Sequence, residues 1–274
     1  MNKLIKGFTV FCLSAALVGC GSDASSDDKT IKIGASVTPH AEIIENIKPD
    51  LEDLGYEVEI VEFSDYVKPN QALYEGEIDC NYFQHTPYLE DWVANNCEND
   101  DDLVVADKIH FEPLGIYSSK HSDISDVPEG AQIAVPNDTT NEARALQLLQ
   151  AQGIITLTEG KGLEATKADI VENPYNVEIV ELAAEVVPTK LEEVDFAVAN
   201  GNNALNAKIT DNLLVTEDKG SEAADEFANV IAVRKEDKDS QKIKDLLDVL
   251  ETQKTVDFIN ETYDGVVVSV FDAE

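Results

Sequence analysis

A cluster of aromatic side chains around a histidine is the part of this sequence best suited to bind a ligand. Aromatic residues make up only 7% of the chain. The cluster consists of Tyr82, Phe83, His85 and Tyr88. Residues 77–80 before it are typical of a short strand, and residues 87–95 are typical of a helix. Rings at a strand-to-helix junction can line a pocket with apolar faces and polar tips, or they can form core packing beneath a loop.

Arginine is rare in this sequence, so each arginine is a candidate for a specific contact. Of the 20 Lys and Arg residues, only two are arginines, Arg144 and Arg234. Arg144 lies about one turn into a predicted helix that residues 137–140 cap. The free N–H groups of a helix N-terminus and two parallel guanidinium donors can together bind a carboxylate. The alternative is an ordinary surface ion pair, and Asn141 could likewise be a surface amide.

The N-terminal residues 1–19 are typical of a secretion signal, in which two lysines precede a short apolar run. That run is too short to span a bilayer as a helix. The segment Leu17–Cys20 resembles the end of a bacterial lipoprotein signal. This resemblance implies that Cys20 is lipidated and anchors the protein in the cell membrane, facing the periplasm or the cell exterior. Residues 20–29 are polar and predict a flexible tether. An ordinary secretory signal with an incidental cysteine is the alternative.

The charge of the chain argues against two classes of partner. The 55 Asp and Glu residues and 20 Lys and Arg residues give a formal net charge of −35. Such a surface repels nucleic acid and anionic lipid headgroups, so neither is expected as a partner. A solvated acidic coat is the simplest interpretation of this charge.

With Cys12 in the predicted signal and Cys20 lipidated, the mature fold keeps two cysteines, Cys80 and Cys97. An even pair in an oxidising compartment predicts a disulfide between them. A nucleophilic pair of Cys80 with His85 is the alternative, although no third group that would orient the histidine is apparent.

Apolar runs alternate with helical patterns in two series. The first comprises strands at 31–37, 56–63 and 77–80, and helices at 39–54, 65–74 and 87–95. The second comprises strands at 132–135, 177–180 and 195–198, helices at 137–151 and 190–193, and a closing helix at 241–262. This order predicts two α/β lobes with largely parallel sheets. Residues 110–117 and 229–233 are interpreted as connections between the lobes, which would enclose a hinged cleft.

A set of sequence runs spans nearly the whole chain after the tether. They are Asp65–Leu73, Phe83–Leu89, Val135–Asp138, Asn141 with Arg144, Val171–Pro174, Ala197–Asn200 and Asn229–Val233. Together they resemble the methionine-binding lipoproteins of bacterial ABC uptake systems, the NlpA family. The resemblance implies a type II periplasmic-binding-protein fold, with two α/β lobes joined by two crossover segments around a cleft. It implies lobe 1 at residues 30–113, with 231–274 returning to it, and lobe 2 at residues 114–230.

The resemblance also implies a ligand, partners and a set of contacts. The cleft would bind free methionine, which passes to an importer made of a permease and an ATPase subunit. The implied contacts are Tyr66, Phe83, His85 and Tyr88 for the side chain, Asn141 and Arg144 for the carboxylate, and Asn200 and Asn229 for the amino-acid head. A thioether gains from contact with aromatic rings, which fits this set. No acidic partner for the ammonium stands out, and no metal, cofactor or catalytic residue is implied.

Other functions stay open at this point. Cys80 and Tyr82 stand where the family usually has small residues, so the pocket floor could differ. The ligand could then be a methionine-containing dipeptide or another small amino acid. An extracytoplasmic hydrolase is a remote alternative, because no Gly-x-Ser-x-Gly or metal motif is present. His40 is predicted at a helix end on the surface, with a position facing the cleft as the alternative. His110 and His121 are predicted at structural or exposed positions.

Overall fold

The computed structural model of the protein describes residues 29–217, 220–271 and 273. The predicted signal at 1–19, the lipidation site Cys20 and the tether as far as residue 28 lie outside this part of the chain. Within the described ranges, none of the helices combines the length and the apolar character that crossing a bilayer requires.

Two main β-sheets with helices packed against them make up the fold. The first elements are β1 (Thr30–Ser36), α1 (Glu42–Asp53), β2 (Glu57–Phe63), α2 (Lys68–Tyr74), β3 (Cys80–His85), α3 (Thr86–Asn96) and β4 (Leu103–Phe111). Next come β5 (Gly115–Tyr117), β6 (Gln132–Pro136), α4 (Thr139–Ala151), β7 (Thr156–Leu157), β8 (Ile170–Glu172), β9 (Glu178–Leu182), β10 (Phe196–Ala199), α5 (Gly201–Ala207), β11 (Leu213–Thr216) and α6 (Ser221–Glu226). The last are β12 (Ala228–Arg234), α7 (Gln241–Leu250), α8 (Gln253–Tyr263) and β13 (Val268–Ser269).

The first sheet has the strand order β13-β4-β12-β3-β1-β2. Strand β1 runs parallel to β2 and β3, as expected when a helix connects successive strands, and β12 runs antiparallel to β3 and β4. Helices α1, α7 and α8 share one apolar core with this sheet. In α7 the buried residues Ile243, Leu246 and Leu250 recur every three or four positions, which places them on one helix face.

The second sheet has the strand order β11-β5-β10-β6-β9. Strand β6 runs parallel to β9 and β10, whereas β5 runs antiparallel to β10 and β11. Helix α4 packs on this sheet through apolar residues that include Leu146 and Leu149. The helix begins after Asp138, whose side chain accepts a hydrogen bond from the backbone N–H of Asn141 at 3.0 Å. The predicted cap of this helix is therefore confirmed.

The chain passes from the first sheet to the second at residues 112–114, inside the predicted connection 110–117, and returns between β11 and β12. The prediction that residues 229–233 form a connection is wrong, because they lie within β12. Asn229 of this strand is in register with both His85 and His110. A continuous buried apolar run is typical of a strand with neighbours on both sides, which explains the difference. The lobe boundaries at 113/114 and 230/231 stay a prediction.

Three further elements differ from the predicted ones. The strand predicted at 77–80 is β3, which starts at Cys80 and is buried throughout. Its polar residues Asn81 and Gln84 are satisfied by Asn70, whose amide bonds them at 2.6–2.8 Å. The helix predicted at 190–193 is a 3-10 turn at Val187–Lys190. The closing helix is divided into α7 and α8.

The predicted disulfide between Cys80 and Cys97 is wrong, because both thiols are free. Cys80 faces the core that α1 and α7 cover, together with Ile231 and Val233 of β12. Cys97 packs in another cluster, with Val230 and Ala232 of the same strand. Alternate residues of a strand point to opposite faces of a sheet, so the sheet itself separates the two sulfur atoms.

We expect the two thiols to differ in reactivity towards an alkylating reagent. Cys80 is fully buried, and burial raises the pKa of its thiol, whereas Cys97 is partly exposed. In the native protein, Cys97 should be labelled first and Cys80 only after denaturation. Peptide mass mapping of unreduced protein checks both sites. A crosslinked Cys80–Cys97 peptide would contradict the structure.

Candidate functional site

A cavity lies between the two sheets. Its lining residues are Tyr66, Phe83, Gln84, His85, Tyr88, Glu112, Asn141, Arg144, Asn200, Asn202 and Asn229. All eight residues that the sequence predicted as ligand contacts are therefore brought together around one space. Their contacts with a ligand stay predictions. Gln84, Glu112 and Asn202 are the lining residues that the sequence analysis missed.

Three rings from the first lobe form an aromatic wall: Tyr66, Phe83 and Tyr88. The ring centroid of Tyr66 lies 5.8 Å from that of Phe83 and 5.9 Å from that of Tyr88. The hydroxyl of Tyr88 donates to the carbonyl oxygen of Tyr66 at 2.9 Å. The hydroxyl of Tyr66 donates to Oδ1 of Asn202 in α5 at 2.6 Å. The polar tips are thus bound to protein, which leaves ring surfaces for an apolar ligand group.

His85 ends β3 and caps α3, so it lies where the strand meets the helix. Its Nδ1 accepts a hydrogen bond from the backbone N–H of Tyr88, and its Nε2 donates to Oδ1 of Asn141, both at 3.2 Å. Burial, and secondarily the charge of Arg144, lowers the pKa of His85 to about 3. The ring is therefore neutral at physiological pH and links the two lobes.

Arg144 projects from the first turns of α4 and is 4% exposed. Its Nε donates to Oε2 of Glu217 at 2.9 Å, and its Nη2 donates to Oε1 of the same carboxylate and to the carbonyl oxygen of Glu112. The expectation of two parallel donors for a ligand is corrected here, because Glu217 occupies that edge. Among the described residues, Nη1 has no hydrogen-bond partner, so it remains as a donor towards the cavity.

The asparagines differ in the groups that they leave unused. Asn141 is bonded at both ends of its amide, because its Oδ1 accepts from His85 and from Nδ2 of Asn200, and its Nδ2 donates to Asp138. Oδ1 of Asn200 is buried and has no hydrogen-bond partner in the part of the chain that the structure describes. Oδ1 of Asn229 accepts from Nε2 of His40 at 2.9 Å, which leaves its Nδ2 as a donor. Asn200 therefore offers an acceptor and Asn229 a donor.

Glu112 is the lining residue that the sequence analysis most clearly missed. It lies in the first segment between the sheets and is 5% exposed. Its Oε1 accepts from Nε2 of His110 at 2.8 Å, and its Oε2 accepts from the backbone N–H of Asn202 at 2.6 Å. Burial raises the pKa of its carboxyl group. A single acid after an apolar strand, two positions beyond a histidine, is the signal that could have identified it.

Two predictions about residues beside Glu112 need correction. His40 is fully buried rather than on the surface, and its Nε2 lies 3.6 Å from Oε1 of Glu112. Tyr82 does not line the cavity, because its ring is in the core and its hydroxyl bonds Nδ1 of His110. His110 is buried, as a structural histidine should be, whereas His121 is half-buried and bonds Asp195.

The cavity thus has three chemically distinct regions. The aromatic wall is apolar, Arg144 and Asn229 offer donors, and Glu112 and Asn200 offer acceptors. This arrangement complements a small zwitterion with an apolar side chain. With side chains from both sheets around one enclosed space, the fold and the site define a two-lobed solute-binding protein.

Comparison with known proteins identifies the family. The chain belongs to the NlpA lipoprotein family, whose profile matches residues 31–271. It is 39% identical to the methionine-binding lipoprotein MetQ of Bacillus subtilis, over 98% of this chain and 99% of that protein. It is 37% identical to the D-methionine-binding lipoprotein MetQ of Escherichia coli O157:H7, over 92% of each. A nutrient-binding protein from Burkholderia cenocepacia, solved with methionine, superposes with a TM-score of 0.82 and 40% identity, over 88% of this chain and 100% of that one.

We expect the neutral state of His85 to make stability depend on pH. Its folded pKa of about 3 lies below the ordinary histidine pKa of 6.5, so the unfolded chain binds a proton that the folded protein excludes. The stabilisation is present above about pH 6.5 and is lost as the pH falls towards 3. In His85→Gln, the free energy of unfolding should fall less steeply between pH 6 and 4, by up to about 1.4 kcal/mol per pH unit. Urea unfolding measures both slopes, and equal slopes would show that folded His85 takes up the proton.

Proposed function

We propose that this protein is an extracytoplasmic receptor that captures methionine between its lobes and delivers it to an ABC importer. The observation that carries the proposal is the cavity with an aromatic wall at one side and a free donor of Arg144 at the other. Contact between a thioether and an aromatic ring contributes about 0.3–1.5 kcal/mol. The relatives include methionine-binding and D-methionine-binding lipoproteins, which supports this ligand class.

Bonds between the lobes support a capture mechanism by closure. His85 bonds Asn141 and Tyr66 bonds Asn202, so residues of the first lobe contact those of the second beside the cavity. Such contacts exist only while the lobes are together, and a ligand that touches both lobes favours that state. Closure around the ligand would present one conformation to the permease and its ATPase subunit. The lipid on Cys20 would hold the receptor near them.

The site favours ligand binding without a catalytic reaction. The alternative of a Cys80–His85 nucleophile requires an accessible thiolate. Cys80 is fully buried and is not among the residues that line the cavity, and burial raises its pKa. His85 uses both ring nitrogens in bonds to Tyr88 and Asn141.

Arg144 is expected to bind the carboxylate group of methionine. In Arg144→Ala, a bound carboxylate would lose its cation inside the closed cleft, so methionine binding should weaken by about 2–5 kcal/mol. Isothermal titration calorimetry measures the change, and circular dichroism checks the fold. Lys244→Ala is the matched control, because it removes one positive charge from an exposed position of α7. Equal methionine affinity in the two variants would rule out Arg144 as a carboxylate contact.

The ligand itself can be identified without assuming it. We expect protein purified without added amino acids to release free methionine when it is denatured, since an enclosed ligand leaves slowly. Mass spectrometry after chiral derivatisation measures its identity and distinguishes the L- and D-forms. Release of a methionine-containing dipeptide would replace the proposal with the dipeptide alternative.

A further inference from the structure

We infer that Glu112 is the counter-ion of the ligand's α-ammonium group, and that Tyr82 and His110 position it for that role. This inference rests on the proposed function and specifies its ligand class: amino acids with a free, protonated amino group. N-acylated or des-amino analogues of the same side chain should be excluded.

The first argument is the distribution of acceptors around the cavity. Of the described residues that line it, Glu112 has the sole carboxyl group. The buried, unpartnered Oδ1 of Asn200 lines the same cavity. A protonated amine donates up to three hydrogen bonds, and a charged acceptor makes the strongest of them. An ammonium group therefore matches these two acceptors, whereas a neutral amide would leave the carboxylate charge unbalanced.

The second argument is a hydrogen-bonded chain behind the carboxylate. The hydroxyl of Tyr82 bonds Nδ1 of His110, and Nε2 of His110 bonds Oε1 of Glu112 at 2.8 Å. An ionised Glu112 can only accept, so Nε2 is the donor and Nδ1 accepts from the Tyr82 hydroxyl. A tyrosine hydroxyl that donates to Nδ1 fixes the tautomer with the proton on Nε2, which is the form that can donate to a carboxylate. The chain thus orients Glu112 from the core side, away from the cavity.

The third argument is charge. Burial lowers the pKa of His110 to about 3 and that of His40 to about 4, so neither ring is a cation at neutral pH. Nε2 of His40 is bonded to Asn229 and lies 3.6 Å from Glu112. The side chain of Arg144 is paired with Glu217. Among the described residues, no cation is therefore paired with Glu112, and burial raises the pKa of its carboxyl group, which reflects the cost of an unpaired buried charge. A ligand cation relieves that cost.

The fourth argument is position. Glu112 lies in the segment that joins the sheets, and its two oxygens accept from His110 of the first lobe and from the N–H of Asn202 in the second. Gly201 permits this approach, because a Cβ there would lie 3.0 Å from Oε2 of Glu112. An ammonium bound at Glu112 would thus contact a group that is attached to both lobes.

A metal ion is the competing occupant of this cluster. His40, His110 and Glu112 offer ligand atoms within 4.8 Å of one another. However, both ring nitrogens of His110 are already used in hydrogen bonds, so this ring has no lone pair free for a metal, whereas the carboxylate of Glu112 can accept further hydrogen bonds. The geometry therefore favours an oriented carboxylate over a metal centre, and the experiment includes Zn²⁺ as a probe.

The test is calorimetry of the purified protein with methionine, N-acetylmethionine and 4-(methylthio)butanoic acid, which lacks the amino group. We expect the wild type to bind methionine at least about 30-fold more tightly than either analogue. Glu112→Gln should lose about the same factor for methionine while its affinity for the analogues changes little. Glu90→Gln, which removes a charge from an exposed position of α3, is the control.

The outcomes separate this inference from the proposed function. A wild type that binds no methionine contradicts the proposed function. A wild type that binds methionine, with an equally tight Glu112→Gln variant, overturns the counter-ion role. Stoichiometric Zn²⁺ binding that is lost in His40→Ala and in Glu112→Gln, and that methionine does not affect, assigns the cluster to a metal and also overturns it.

The positioning role of Tyr82 has its own readout. Tyr82→Phe removes only the hydroxyl, and the ¹⁵N chemical shifts of His110 should then report more of the Nδ1–H tautomer. Methionine affinity should fall by up to about tenfold, because a neutral hydrogen bond contributes about that much. An unchanged tautomer together with unchanged affinity would show that Tyr82 is merely packing.

Discussion

Opposite charges enclosed between two sheets are the constraint on which the rest of this structure depends. Arg144 and Glu112 are both almost completely buried, and neither charge can stay in such a place without polar partners. The partners come from different parts of the chain: Glu217 follows β11, and Asn202 lies in α5. The polar contacts of these two buried groups therefore hold the lobes in position relative to each other, and the aromatic wall lines the rest of the cavity.

Much of the fold and of the site could be predicted because the signals are local. The alternation of strands and helices and the cap of α4 at Asp138 depend on residues a few positions apart, and these were confirmed. The sequence places strand β3 at residues 77–80, ending where the observed strand begins, because the polar residues of β3 depend on a contact outside the segment. Asn81 and Gln84 make that segment look polar, and only the contact with Asn70 explains how a buried strand can include them.

The residues that sequence reasoning missed depend on distant partners. His40 could be buried because Asn229, 189 positions away, accepts a hydrogen bond from its ring. Glu112 could be buried because Asn202, 90 positions away, donates to it. Periodicity describes one element at a time, so it carries no information about such pairs. The free cysteines are a further example, because only the folded structure shows that a sheet separates Cys80 from Cys97 and prevents a disulfide.

Strand β12 also affects the order in which the two sheets form during folding. It is the third strand across its sheet but the last but one along the chain. Until residues 228–234 have been made, β3 and β4 lack the neighbour that lies between them, and their facing edges stay unpaired. The other sheet has all its strands between Gly115 and Thr216. The second sheet can therefore form first, while β3 and β4 of the first sheet stay unpaired along their facing edges until residues 228–234 have been made.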